Sequence, residues 1–351
     1  MGATLAVVPS AAQGPSPTRS TLASGLLSPL SLAVAEDGTT FYSENFAGVL
    51  HRRSPQGKDT VIYRTEPGIE VGAVSEQGGS LRFALSGGEN EYGVLMAVGN
   101  SGVPVRIANL MAHEKKHNPD GDVQYGFRDL DEECVAQFPQ DQEEGIPVTY
   151  MGSVETHPYA TWLGRGGTTF IADAGANAIF AVSKPKRVRT IAALPPTPLM
   201  VTAELAGEAG LPECAVGHTY WVEAVPTDVE KGQDGKLYVT SLPGGPEGGA
   251  PGSVYRVNPA NGAVKLVATG LVSPVGIAVG AGGDLYVSEL FRGRIARIPA
   301  GTNKVRPFIE VGLPGDIEST STGWVFTAGT LTGLSGEPGD DPAGSVVRLL
   351  R

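Results

Sequence analysis

Apolar and polar positions along the chain follow one recurring order. A short apolar run, as in 30–34 and 275–279, meets a polar or glycine pair and is followed by an aromatic-rich run such as FYS, FIA, YVT, YVS or VFTA. A third run places a glycine ahead of alternating apolar positions and an arginine, as in GVLHR, GRIAR, GSVYR and GSVVR. Alternation with period two puts one set of side chains on one face and predicts β-strands. The pairs Asp37-Gly38, Gly78-Gly79, Gly166-Gly167, Asp234-Gly235, Gly282-Gly283 and Thr322-Gly323 supply the turns between the first and second strands. Helical spacing is scarce.

The order repeats closely enough to align. Residues 22–34 (LASGLLSPLSLAV) match 267–279 (VATGLVSPVGIAV), and 41–53 match 286–298. A strand-rich repeat of about forty residues is the mark of a propeller blade. Aligned on the inner strand, blades start near Pro29, Glu70, Pro158, Pro226, Pro274 and Pro314. The chain ends at Arg351 just after a third strand, while residues 18–24 match the fourth strand at 264–270. The N-terminal strand is therefore expected to complete the last blade and remove two open sheet edges. This predicts an all-β chain, a single six-bladed β-propeller over residues 17–351. Two insertions, 111–156 and 195–224, are read as long loops that approach blades three and four on the face that also carries the long loops 241–252 and 330–344. Binding residues favour such loops above a rigid scaffold.

Composition narrows the partners. A net charge of −11 with scattered lysines and arginines argues against nucleic acid. No run reaches the roughly eighteen apolar residues of a spanning helix. Residues 1–16 carry an apolar patch, Ala3 to Val8, followed by Ser10, Ala11 and Ala12, without a basic start. They read either as the remnant of an export signal or as a disordered leader, the first placing the protein outside the cytoplasm.

Candidate chemistry concentrates where inner strands face the channel. The matched positions are Ser31 and Ala33 in blade one and Gly276 and Ala278 in blade five, but Asp228 and Glu230 in blade four and Asp316 and Glu318 in blade six. Four carboxylates in a narrow channel repel one another unless water, a cation or a basic ligand group intervenes. The alternatives are a Ca²⁺ site with Asp228 and Asp316 as ligands, a pocket for a cationic or hydroxylated ligand, and solvated acids in a wet channel. His157, Tyr159, His218, Tyr220 and Trp221 either line a pocket beside that mouth or simply pack. Glu44, Asp173 and Glu289 recur at the end of the second strand, a regularity that points to turn-tying carboxylates.

Residues 113–117 read HEKKH, the spacing of a zinc helix in which His113 and His117 bind metal. The segment is cut short by Asn118-Pro119-Asp120-Gly121, and its third ligand would have to be His157 or His218, so a helix on the surface of the insertion is the expectation. Cys134 and Cys214, the only cysteines, lie one in each insertion. They form either a disulfide or two free thiols. No nucleophile elbow, phosphate loop or dinucleotide fingerprint is present.

With these residues in view, the chain resembles the ScyD/ScyE family of bacterial β-propellers, related to NHL and TolB-like propellers, over most of 20–351. The likeness rests on the GLxSPxxxAV opening, NPDG at 118–121, HPYA at 157–160 with TTFIADAGANAIFAV after it, and VPTDVEKGQDGKLYVTSLPG at 225–244. Asp173 and Asn177 resemble the Asp and Asn of NHL repeats. The chain departs from the family at His157, where asparagine is common, and at Asp228 and Glu230, where smaller residues are usual. The resemblance implies an extracytoplasmic six-bladed propeller and adds no catalytic residue. The expectation is an exported monomer that binds a small molecule or protein through its insertion-bearing face. The alternative is a metal-assisted hydrolase, lactonase or strictosidine-synthase-like enzyme with acids at the channel mouth.

Overall fold

The computed structural model describes residues 18–99, 101–139, 146–183, 187–245 and 250–351. The leader proposed at 1–16 lies outside them. Seven four-stranded antiparallel sheets form, and the inner strands of six of them neighbour one another in cyclic order: Leu32–Val34, Ile69–Gln77, Pro158–Leu163, Ala224–Lys231, Pro274–Val279 and Ile317–Thr320. These are the blades of a β-propeller. In the sixth, Arg19–Leu26 pairs antiparallel with Gly344–Leu350, with Thr21 opposite Val347. The edge left by the last strand is thus covered by the first. Apolar side chains from adjacent blades interleave between the sheets, as where Phe170, Ile179 and Ala181 of blade three meet Val229, Val239 and Tyr255 of blade four.

Two details differ from the sequence reading. The inner strand of blade two is displaced by one residue from the alignment. Its pairing skips between Val71 and Ala73, as that of blade five skips between Pro274 and Gly276. Val71, not Glu70, is therefore the counterpart of the blade-opening prolines, and Glu70 stands one residue outside the strand's repeat frame.

The insertions, read as loops, instead build the seventh sheet. Its strands lie in the order Thr149–Met151, Gln124–Phe127, Thr219–Val222, Thr197–Met200, so each insertion supplies two. Alternation accounts for it: Tyr220 and Val222 are buried while Thr219 and Trp221 are less so. The buried side packs Phe127, Leu199, Tyr220 and Val222 around Cys134, which forms a disulfide with Cys214, Cα atoms 5.7 Å apart. Two segments too short to fold alone are joined covalently across 80 residues of chain.

The HEKKH segment is a helix, Leu110–His117, with Asn109 Oδ1 accepting from Ala112 N at 2.8 Å at its start and Asn118 at φ 34° ending it. It is not a surface helix throughout, because Leu110, Met111 and Glu114 are buried.

Candidate functional site

Inner strands in a propeller lie side by side without pairing, so each leaves backbone N–H groups directed at its neighbour that need acceptors. Three blades meet this need with a side chain. Ser31 Oγ accepts from Val74 N at 2.9 Å, Asp228 Oδ2 from Ile277 N at 2.6 Å, and Asp316 Oδ2 from Leu32 N at 2.7 Å. Both aspartates also cap their own strands, through Val229 N and Ile317 N, each at 2.7 Å. The other blades carry Ala73, Ala160 and Gly276 in this row. At Gly276 a Cβ would lie 2.6 Å from Gly315 O, so only glycine fits between blades five and six.

The structure thus places Asp228 and Asp316 in one row as inter-blade stitches, with Glu230 and Glu318 two residues further along the same strands. Burial holds all four carboxyls above the usual range, with repulsion from like neighbours adding to it at Asp228, Glu230 and Glu318; Asp316 lies at about 6 from burial, despite its two N–H donors. Among the described residues no lysine or arginine forms an ion pair with any of them.

A second group gathers beside this row. Glu70 lies at the start of the inner strand of blade two and His157 immediately precedes that of blade three, and their side chains face each other, Nε2 to Oε2, at 3.7 Å, each about a quarter exposed. Each has a fixing partner. Asn45 Nδ2 donates to Glu70 Oε2 at 3.0 Å, and Asn90 Nδ2 donates to Glu155 Oε2 at 3.0 Å. With its amide so oriented, Asn90 presents Oδ1 to His157 Nδ1 at 2.9 Å. Nδ1 must then carry the proton, leaving the Nε2 lone pair directed at Glu70. Burial raises the Glu70 carboxyl and lowers the His157 imidazole, drawing their affinities for a proton together. Tyr159 stands two residues on. Burial and the charges of Asp316, Asp228 and Glu70 push its phenol up, so it lies within electrostatic reach of both groups.

The carboxylates at the second-strand ends behave as their regularity suggests. Glu44 Oε1 accepts from Leu27 N and Glu289 Oε1 from Val272 N, both at 2.9 Å. Asp173 Oδ1 accepts from His157 N at 2.7 Å and Oδ2 from Thr156 Oγ1 at 2.5 Å. Each ties down the chain arriving at an inner strand, and Asp173 thereby holds the backbone of His157.

Other candidates are dispersed. Trp221 belongs to the seventh sheet rather than to an inner strand, with the Arg128 guanidinium 4.4 Å from its ring centroid. His113 Nε2 meets Thr190 Oγ1 at 2.8 Å, and His218 Nδ1 lies 3.3 Å from Asp129, so neither His157 nor His218 joins His113 and His117. Among the described residues no three His, Cys, Asp or Glu side chains converge as metal ligands. Sequence reasoning missed Glu70, Asn45 and Asn90. The one-residue slip in blade two was the available signal for Glu70, and the two asparagines lie on turns with no pattern to mark them.

No family model matches the chain, and no curated protein matches it. Solved structures do. It superposes on virginiamycin B lyase from Staphylococcus aureus (TM-score 0.52, 13% identity, 96% of this chain and 99% of the other). It also matches the aldose sugar dehydrogenase of Streptomyces coelicolor (0.55, 13%, 95% and 98%) and a gluconolactonase from Xanthomonas campestris (0.56, 11%, 95% and 89%). At such identities the likeness concerns the fold alone, and the fold is a β-propeller.

Proposed function

We propose that this chain is an exported small-molecule enzyme whose acid–base pair, Glu70 and His157, works at the mouth of the propeller channel on an ester or lactone. The carrying observation is the facing pair itself, a lone-pair nitrogen and a carboxyl held 3.7 Å apart by two asparagines. At that separation one water seated beside the pair can hydrogen-bond to both groups. His157 Nε2 takes a proton from this water as its oxygen adds to the substrate carbonyl, and the protonated Glu70 gives its proton to the departing alkoxide. The neighbouring row of acids disfavours anionic substrates and suits neutral, hydroxylated ones. That propellers of similar fold include a lyase, a gluconolactonase and a dehydrogenase supports an enzyme as an analogy of fold. The disulfide supports export. Within this reading the chain is a ScyD/ScyE-like propeller whose His157 replaces the family's asparagine.

Hydrolysis of a panel of neutral aldonolactones, followed by proton release, tests the proposal. His157→Asn and Glu70→Gln should each lower kcat/KM by about 100-fold or more while leaving the melting temperature nearly unchanged. No turnover by the parent protein, or equal turnover by both variants, rejects it.

A second reading, capture of a protein partner, is favoured by one observation. Phe46 and Phe291 occupy the same turn in blades one and five and are 49% and 65% exposed. Replacing both with serine would abolish such capture and leave lactone turnover intact.

A further inference from the structure

Among the described residues the largest concentration of unsatisfied buried polar atoms lies where the first insertion leaves blade two. Among the described residues eleven buried side-chain nitrogen or oxygen atoms lack a hydrogen-bond partner, and five of them belong to four neighbouring residues: Glu114 Oε1 and Oε2, Asn118 Oδ1, Asp120 Oδ1 and Asn177 Oδ1. Glu114 and Asp120 are fully buried and Asn177 is 2% exposed. A buried charged group without a partner costs several kcal/mol, so five acceptors left together in one place require an explanation.

Local geometry brings the four together. Glu114 and Asn118 are one helical turn apart at the end of Leu110–His117, where Asn118 N donates to Glu114 O. Asn118 Nδ2 donates to Gly152 O at 3.1 Å, and Asp120 lies so closely over Gly152 that a Cβ there would fall 2.3 Å from its Cγ. Asp120 Oδ2 accepts from Asn177 Nδ2 at 2.9 Å and from the Tyr125 hydroxyl at 3.0 Å. Both asparagines have their amide nitrogens committed, so the atoms left over are oxygens. The charges of Asp173, Asp120 and Glu155 all act on Glu114, and no lysine or arginine among the described residues pairs with these acids.

We propose that Glu114, Asn118, Asp120 and Asn177 form a binding site for one hard divalent cation, Ca²⁺. Two carboxylates and two amide oxygens supply five donor atoms, and water or backbone carbonyls complete the six to eight that Ca²⁺ takes. No nitrogen or sulfur donor is offered, which disfavours zinc. The ion joins four elements: the helix, the NPDG turn, the seventh sheet through Tyr125, and blade three through Asn177. Asp173, which fixes the backbone of His157, lies four residues before Asn177.

The full chain, stripped with chelator and dialysed, is titrated with CaCl2 by calorimetry and melted with and without the ion. One Ca²⁺ should bind per chain and raise the melting temperature. Glu114→Gln and Asp120→Asn should each weaken binding at least 10-fold, and Glu114→Gln should melt higher than the parent when both are metal-free. Asp316→Asn should bind Ca²⁺ as the parent does. Terbium provides a reading on the parent chain, since its emission on tyrosine excitation should appear and be competed away by Ca²⁺ but not by equal MgCl2. Absence of heat and of thermal stabilisation in the parent, or Ca²⁺ binding unaltered in both variants, overturns the site and leaves a buried water cluster. Loss of Ca²⁺ binding in Asp316→Asn alone moves the ion to the channel and likewise overturns it.

Discussion

The channel and the first insertion each gather carboxylates with no basic partner, yet they are built differently. Asp228 and Asp316 each receive two backbone N–H groups, one of them from the next blade. Around Glu114 the donors are missing: both of its oxygens and one of Asp120 are buried without a hydrogen-bond partner. Equal charge therefore carries different meaning. Where backbone amides point at a carboxylate, the acid is part of the frame, and its repulsion from a like neighbour is offset by hydrogen bonds that the sheet needed anyway. Where nothing points at it, the compensation must come from outside the chain. From sequence the channel acids stood open between a Ca²⁺ site at Asp228 and Asp316, a ligand pocket and solvated acids, and the contrast favours the insertion as the place for a cation.

The largest effect that separates the two regions is expected from the disulfide. Cys134 and Cys214 close 80 residues of chain and join the two insertions that build the seventh sheet, whose Tyr125 donates to Asp120 of the insertion cluster. Replacing both with serine should destabilise the protein by about 4 kcal/mol in denaturant titration. Calcium binding should weaken with it while lactone turnover changes little. Equal loss at both sites would mean that the regions are not independent.

Next comes the pH dependence of the channel. Its carboxyls lie above their usual values, Asp316 at about 6 against 3.8 for a free side chain, with Asp228, Glu230, Glu318, Tyr159 and Glu70 the titratable groups around it. The folded protein then holds its protons more tightly than the unfolded chain. Stability from this source is complete below about pH 4 and is lost as pH rises through about 6, by about 3 kcal/mol for Asp316. In chelator, the difference in stability between the parent and Asp316→Asn should therefore change in favour of the variant as pH climbs from 4 to 6 and stay constant above. A difference that does not vary with pH would show that the N–H donors outweigh burial in setting the titration of this aspartate.

The sequence carried most of the frame and little of the sites. Glycine at the turns, alternation in the strands and the match of 18–24 to a fourth strand are local signals, and local signals repeated six times reinforce one another. The seventh sheet carried the same alternation, in QYGF and TYWV, but only once and in two pieces separated by blade three, so nothing repeated to expose it. Site residues depend on register. Glu70 was hidden by one residue of displacement in blade two, and Asp228 and Asp316 were found but left open between a ligand and solvent, because a strand pattern cannot tell which neighbouring N–H a carboxylate will meet. Asn118 and Asp120 were visible only as a motif that ended a helix. Their meeting with Asn177 spans about sixty residues and is set by how the insertion folds back onto blade three.

Ser31 tests the stitching account at its weakest point. Its Oγ accepts from Val74 N at 2.9 Å in the same row as the two aspartates, but it carries no charge and repels nothing. Ser31→Ala leaves the Val74 N–H buried without an acceptor, a loss of about 1 kcal/mol by denaturant titration. The Ser31 hydroxyl also holds the Asp316 carboxyl down through a hydrogen bond, so the loss should be somewhat larger at pH 7 than at pH 4, opposite in direction to Asp316→Asn, and the same with and without Ca²⁺. If Ser31→Ala cost nothing, the row would not need acceptors at every polar step. Asp228 and Asp316 would then no longer be explained by the backbone they touch, and a ligand in the channel would again be the better account of why two blades place acids there.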